Sequence, residues 1–274
     1  MAEAVNPAEE RRQLERPAPA PAPRVSPHNS RFIVAYLLIM VVFAGVVAGF
    51  AYMLGRSDNE SWSSFKPKGE GLARATAIAN YVAPRYRHNG TQLAAVQAQP
   101  PRAGNSEIAA LAIARDPSQG IGGGFISVEP AANTLLYIFC GPAQDCSIPG
   151  QPSVERGRLL RRQSLELALY TFKYFDNVDS VVTLLPPSRS GVVPAVWLRK
   201  RALSNELDHP LRETLPGRPP FTVDNLVDGQ RVEQLTASRF YPSYFQPLPN
   251  GQLMLRLGGP PPQQTEQSGQ SGGS

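Results

Sequence analysis

Residues Ser153–Pro187 read SVERGRLLRRQSLELALYTFKYFDNVDSVVTLLPP, an amphipathic helix running at once into a strand, and that junction sets the fold class. The Ser153 hydroxyl can accept from the free N–H groups of a first helical turn, so the spacing predicts a helix from Ser153 to about Phe175. Leu165, Ala168, Leu169, Phe172 and Phe175 recur at helical intervals and form one broad apolar face, while Arg162, Glu166, Tyr170 and Lys173 fall along the opposite stripe. Such a helix is expected to pack by one side. The residues VDSVVTLL then turn β-branched and are halted by Pro186 and Pro187, which predicts a strand.

Over Leu165–Leu185, the stretch LELALYTFKYFDNVDSVVTLL resembles the closing helix and strand of GerMN-type bacterial envelope modules. The resemblance is confined to those residues and carries over neither a family assignment nor a functional residue.

Outward from this unit the same grammar continues. Upstream, GFISVEP and NTLLYIFC are rich in β-branched and aromatic residues and bounded by breakers, so both read as strands. Earlier still, EGLARATAIANYVAPRYR reads as a first helix stopped near Pro84, and TQLAAVQA and EIAALAIAR as strands of a hairpin, although short Ala-rich runs equally suit helices. Downstream, VVPAVWLRK is an apolar run broken by Pro194, which suits a sheet edge. Helices are expected within SNELDHPLRETL and DGQRVEQLTASRFY, and FQPLPNGQLMLRL places Asn250-Gly251 at a tight hairpin turn. Residues 70–257 are therefore expected to form one α+β domain, with a mixed or antiparallel sheet packed against helices.

Ahead of that domain, Phe32–Gly55 reads FIVAYLLIMVVFAGVVAGFAYMLG, with no ionisable group except the Tyr36 and Tyr52 phenols. At about 1.5 Å per residue it reaches roughly 36 Å, enough to cross a hydrocarbon core of about 30 Å. We expect a single transmembrane helix, a signal anchor in the lipid bilayer. A cleaved signal peptide is the rival, but its apolar region would be shorter and end in a small-x-small site. The twenty residues on each side carry equal Lys/Arg: Arg12, Arg16, Arg24 and Arg31 before, Arg56, Lys66, Lys68 and Arg74 after. Charge gives no direction, so the common signal-anchor layout sets the expectation: N-terminus cytoplasmic, C-terminal domain extracytoplasmic. Residues 1–31, with ERPAPAPAPRVSP, read as a disordered Pro/Ala-rich tail, residues 56–69 as a polar linker, and residues 258–274 as a disordered Gly/Gln/Ser-rich tail.

Composition narrows function more than it specifies it. With 42% hydrophobic and 18% charged residues the chain is too apolar for full disorder, so disorder is local to its ends. A net charge of +5 without a long Lys/Arg block does not indicate nucleic acid. The bias to Arg over Lys, with abundant Ala, Pro and Gly, hints at a GC-rich bacterial genome.

Several constellations carry chemistry or its absence. Cys140 and Cys146, the only cysteines, flank Gly141-Pro142 and suit a disulfide on the oxidising side of a membrane, worth roughly 2 kcal/mol; two buried thiols are the alternative. Gly45 and Gly49 form GxxxG within the apolar run and suit helix-helix contact and a homodimer. Arg156, Arg158, Arg161 and Arg162 form a basic cluster suited to an anionic surface, or else a solvated face partnered by Glu155 and Glu166. His88 and His209 stand far apart, Asp208-His209 lacks a nucleophile elbow, and Gly120–Gly124 lacks the GK[ST] of a phosphate loop, so no catalytic, metal or cofactor set is indicated. The leading expectation is a non-catalytic envelope assembly or scaffold protein with an envelope protein partner. A domain binding a small ligand or cell-wall fragment is the alternative, and an envelope hydrolase comes last.

Overall fold

The computed structural model of the chain describes residues 29–56, 62–114, 126–187 and 191–259. The tail expected at 1–31 lies outside the described residues up to position 28, as do residues 260–274 of the C-terminal tail and the glycine cluster Gly120–Gly124. The chain divides into two compact units, Met1–Glu60 and Ser61–Ser274.

The first unit contains one helix, α1 (Asn29–Arg56), which begins at Asn29 where Phe32 was expected. Its side chains are described from Val34 to Gly49, and all of these are exposed, the large apolar ones between 51% (Val47) and 70% (Tyr36). Among the described residues no helix is long and apolar enough to cross a membrane.

The second unit is a mixed α+β fold. In chain order it contains α2 (Gly71–Val82), β1 (Arg87–His88), β2 (Thr91–Gln92), β3 (Ala95–Gln99), β4 (Arg102–Ala103), β5 (Ser106–Ala114), β6 (Ile126–Pro130) and β7 (Thr134–Cys140). Then follow α3 (Val154–Tyr174), β8 (Ser180–Leu184), β9 (Val193–Arg199), α4 (Ser204–Asp208), α5 (Leu211–Thr214), α6 (Gly229–Thr236), β10 (Phe240–Pro247) and β11 (Leu253–Leu257). Among the described residues, nine strands form one sheet in the order β3-β7-β8-β9-β10-β11-β5-β4, with β6 also on β5. Two pairings, β7 with β8 and β11 with β5, are parallel, and α3 is the crossover between β7 and β8.

Three sequence expectations change. The runs expected as a hairpin separate: β3 pairs with β7 at one end of the sheet, and β5 with β11, β6 and β4 at the other. Local sequence proximity gave way to long-range pairing because each strand finds its apolar partners elsewhere.

The strand holding Pro194 is also not an edge, since β9 lies between β8 and β10. Pro194 faces Pro242 across the ladder, so neither strand needs an N–H at that position, and their carbonyls accept instead from the Leu185 and Gly258 N–H groups.

The hairpin closing the domain holds as expected. Gly251 takes φ +80, its N–H donates to the Leu248 carbonyl at 3.0 Å, and Asn250 Oδ1 accepts from the Gln252 N–H at 3.1 Å.

The third change concerns α3, which does not pack by one side. Every residue from Arg162 to Phe172 is buried. One face lies on the sheet, where Leu135, Tyr137, Val181, Val196 and Leu198 share a core with Leu165, Leu169 and Phe172. Helices α2, α4 and α6 contact it elsewhere. Residues expected as linker close over it too: Trp62 sits edge-on to Tyr170 at 5.3 Å, and Phe65 stacks on Tyr81 at 3.8 Å.

The opposite face of the sheet has its own core, in which Ile108, Leu111 and Ile113 of β5 join Leu136 of β7, Val182 of β8 and Trp197 of β9. Five strand spacings separate β7 from β5, about 24 Å in a flat sheet at about 4.8 Å per step. The core runs across all the intervening strands, and the sheet coils back on itself far enough to bring β9 to β6, four spacings away, as strand twist allows. An Arg199–Glu129 ion pair of 3.0 Å spans the mouth of the coil, from β9 to β6.

Candidate functional site

The polar stripe of α3 forms a buried network. Arg162, 0% exposed, donates from Nε to Asp228 Oδ2 (2.7 Å), from Nη1 to the Tyr86 hydroxyl (2.5 Å) and from Nη2 to the Pro216 carbonyl (2.9 Å). Its guanidinium lies 3.7 Å from the Phe221 ring centroid. Tyr86 donates in turn to Glu166 Oε2 (2.5 Å), and Arg85 reaches Glu166 Oε1 (2.9 Å). Burial, reinforced by the Glu166 carboxylate, pushes the Tyr86 phenol well above its ordinary value. Burial works against the Arg162 charge, yet Tyr86, Glu166 and Asp228 outweigh it and raise its pKa. Asp228 occupies the cap position of α6, but its carboxylate serves Arg162 instead of a backbone N–H. The network thus fixes α3, α6 and the Leu215–Pro216 turn together.

This fixed helix presents its first turns to a cleft of about 880 Å³. The floor is Val154, Gly157 and Leu160 of α3, one wall is the segment Asp145–Pro152, and the other is Leu185–Pro187 with Pro194 and Phe240. Ser153 caps α3 by accepting from the Arg156 N–H at 3.1 Å, as its position in the sequence predicts. A Cβ on Gly157 would meet no atom within 4 Å, so a glycine at the fourth position of α3 leaves the floor open.

The first wall is built by the cysteines. Cys140 and Cys146 sulfurs are 2.00 Å apart, and the loop between them is closed by the Gly141 N–H donating to the Cys146 carbonyl at 2.8 Å. A Cβ on Gly141 would lie 2.1 Å from the Ser147 carbonyl oxygen, so the loop closes only around glycine. Bonds from Ser147 hold the Asp145 carboxyl at the rim below its ordinary value. Arg156 donates to the Pro149 carbonyl at 3.0 Å and ties this wall to the helix.

The four arginines of the basic cluster do not stand on one exposed face. Arg162 is interior. Arg161 makes a two-point contact with Glu233 of α6 (3.0 and 2.6 Å), and Arg158 adds a bond to the same carboxylate at 3.3 Å. These bonds, Arg161's first, pull the Glu233 carboxyl below its ordinary value. Glu166, a candidate surface partner for the cluster, is inside the network, while Glu155 is exposed.

The remaining candidates are scattered. His88 lies in β1, and His209 sits 3.8 Å from Glu213 at the exposed end of α5, with neither near the cleft. Among the described residues no group of three or more His, Cys, Asp or Glu side chains could hold a metal ion. In α1, Gly45 and Gly49 have nothing within 4 Å of where a Cβ would stand.

Sequence reasoning missed Gly157, Pro186, Pro187 and Phe240 as parts of one surface. Gly157 carried a signal, because glycine inside a strong helical pattern costs about 1 kcal/mol against alanine and calls for a reason. Phe240 carried none, because only the β9–β10 pairing brings it beside α3.

What the cleft offers chemically is shape and apolar contact: prolines on both walls, Leu160 and Phe240, with Asp145 and Arg156 also in the lining and Arg161 committed to Glu233. No family model matches the chain, and no curated protein or solved structure matches it either.

Proposed function

We propose that the chain is a membrane-anchored, non-catalytic protein of a bacterial cell envelope that acts in assembly or as a scaffold, holding an extended segment of an envelope protein partner in the cleft at the start of α3. The observation that carries this reading is the cleft itself: about 880 Å³, proline-walled, apolar, and open at Gly157. A surface of that kind suits a partner segment gripped by burial of apolar side chains, with main-chain polar groups meeting the rim.

The anchor rests on α1. A helix whose apolar side chains are exposed all round, with no polar face, is disfavoured in water and suited to lipid. The described side chains, Val34–Gly49, are too few by themselves to cross a membrane; the proposed crossing takes in the whole apolar run Phe32–Gly55 of the sequence, with the N-terminus cytoplasmic and the folded unit extracytoplasmic. The Cys140–Cys146 pair supports that side, because disulfides persist where the surroundings oxidise. Gly45 and Gly49 leave room for a second copy of α1 and so for a homodimer.

The test uses Gly157→Phe, which fills the cleft floor where no atom stands. Proximity labelling in cells is expected to recover a defined envelope protein with the natural chain and to lose it with Gly157→Phe, while both variants stay in carbonate-washed membranes. Recovery of the same protein by both variants overturns the cleft as the docking surface. Release of the natural chain into the soluble fraction overturns the anchor.

A further inference from the structure

A second cavity, of about 600 Å³, opens between α4, α5 and α6 and shares no lining residue with the α3 cleft. Its walls are polar in a particular way. Asn205 of α4 and Gln230 and Gln234 of α6 line it, are exposed, and have no hydrogen-bond partner among the described residues. Each amide offers two donors and an acceptor from one rigid plane. Gln230 and Gln234 are one helical turn apart and so present their amides side by side.

The arginines around the cavity are already paired, and His209 lies near Glu213. Arg231 Nη2 bonds Glu206 Oε1 at 2.8 Å, His209 faces Glu213 at 3.8 Å, and Asp228 at the back answers Arg162 at 2.7 Å. The lining arginine is thus already committed to a carboxylate, and what remains for a ligand is the set of amides with the Glu213 carboxylate beside them. Asp228 is 5% exposed and closes the inner end of the cavity, while the exposed Glu213 carboxylate supplies an acceptor in the lining. At the rim, Val227 is 73% exposed and stands with Pro216, an apolar shelf beside the amides.

We propose that this cavity is a binding site for a neutral polyhydroxylated ligand, a saccharide of one or two rings. A hydroxyl both donates and accepts, which matches three unpartnered amides beside the exposed Glu213 carboxylate. The C–H face of a sugar ring suits the Val227–Pro216 shelf. The volume lies within the range of small-molecule sites. The site is separate from the α3 cleft and does not depend on what that cleft holds.

The experiment uses the full chain in lipid nanodiscs, free of glycosidic detergent, and saturation-transfer NMR with neutral disaccharides as probes: N,N′-diacetylchitobiose, cellobiose and maltose. Saturation is expected to pass to at least one of them in the natural chain and in Gly157→Phe. Gln234→Leu and Asn205→Leu, both at exposed positions and each removing one amide, are expected to weaken binding about tenfold, the equivalent of a lost hydrogen bond. No transfer from any of the three at about 10 mM, a concentration that would reveal even millimolar affinity, overturns the proposal. Equal binding by both leucine variants, or displacement of the disaccharide by inorganic phosphate, overturns it as well.

Discussion

Replacing Arg162 by methionine removes the centre of the buried network while keeping an unbranched side chain of similar reach. Arg162 is 0% exposed and donates to Asp228, Tyr86, Glu166 and the carbonyls of Leu215 and Pro216. Glu166 would keep Arg85 and the Tyr86 hydroxyl, but Asp228, with its side chain 1% exposed, would lose its cation. Stranding one buried charge typically costs about 3–5 kcal/mol, against a total domain stability of about 5–15 kcal/mol. For residues 61–274, with an m-value of about 2 kcal/mol per molar urea, a loss of about 4 kcal/mol moves the unfolding midpoint down by about 2 M. The assay is urea unfolding followed by Trp62 and Trp197 fluorescence. Adding Asp228→Leu to Arg162→Met should restore part of the loss, because the stranded charge is then gone; a coupling of about 2 kcal/mol is expected. A midpoint shift under about 0.5 M for Arg162→Met, or a double variant no more stable than the single one, would refute the view that this network holds α3 in place.

Four further expectations concern Glu233, Gly157, the disulfide and Gly141. Glu233 is a carboxylate whose folded-state pKa lies below its ordinary value of 4.5, so its contribution is present above that value and lost as pH falls through the folded one. Glu233→Gln should therefore cost about 0.5–1 kcal/mol at pH 7, a modest figure because the pair is half-exposed, and progressively less as pH falls through the folded value; thermal melts on an acid titration would contradict this if the gap stayed constant. Gly157→Ala should stabilise residues 61–274 by about 0.5–1 kcal/mol, since the added Cβ meets nothing within 4 Å; a loss in urea midpoint would show that the glycine is needed for its backbone. Cys140→Ser with Cys146→Ser should lower stability by about 2 kcal/mol, and thiol labelling of the unfolded natural chain should require a reductant; Gly141→Ala, with its Cβ 2.1 Å from a carbonyl oxygen, should cost at least as much.

Much of the secondary structure was legible because it depends on neighbours in sequence. The Ser153 cap, the run of α3, the proline stop after β8, the Asn250-Gly251 turn and the helical apolar run near Phe32–Gly55 are short-range matters of hydrogen bonding, backbone freedom and periodicity. The α+β class followed from the helix-to-strand order. What failed was the pairing of β3 with β5, the edge place of β9 and the exposure of the polar stripe of α3. The spacing of Arg162, Glu166 and Tyr170 correctly put them on one stripe, but the sign of that stripe, solvent or interior, depended on α2, α4, α6 and the Trp62–Phe65 segment covering it. Pro194 marked a strand that cannot donate at one position, and only the facing Pro242 made a central place tolerable.

The same division holds for the sites. Residue types and their local spacing were set by sequence alone: an apolar helix, a close pair of cysteines, a cap, a cluster of arginines. The cleft on α3 and the cavity between α4, α5 and α6 came only from tertiary structure, because their walls come from segments that meet only when the sheet coils and pairs over long range. Periodicity records which side chains share a face of an element; the burial of that face is a property of everything packed against it.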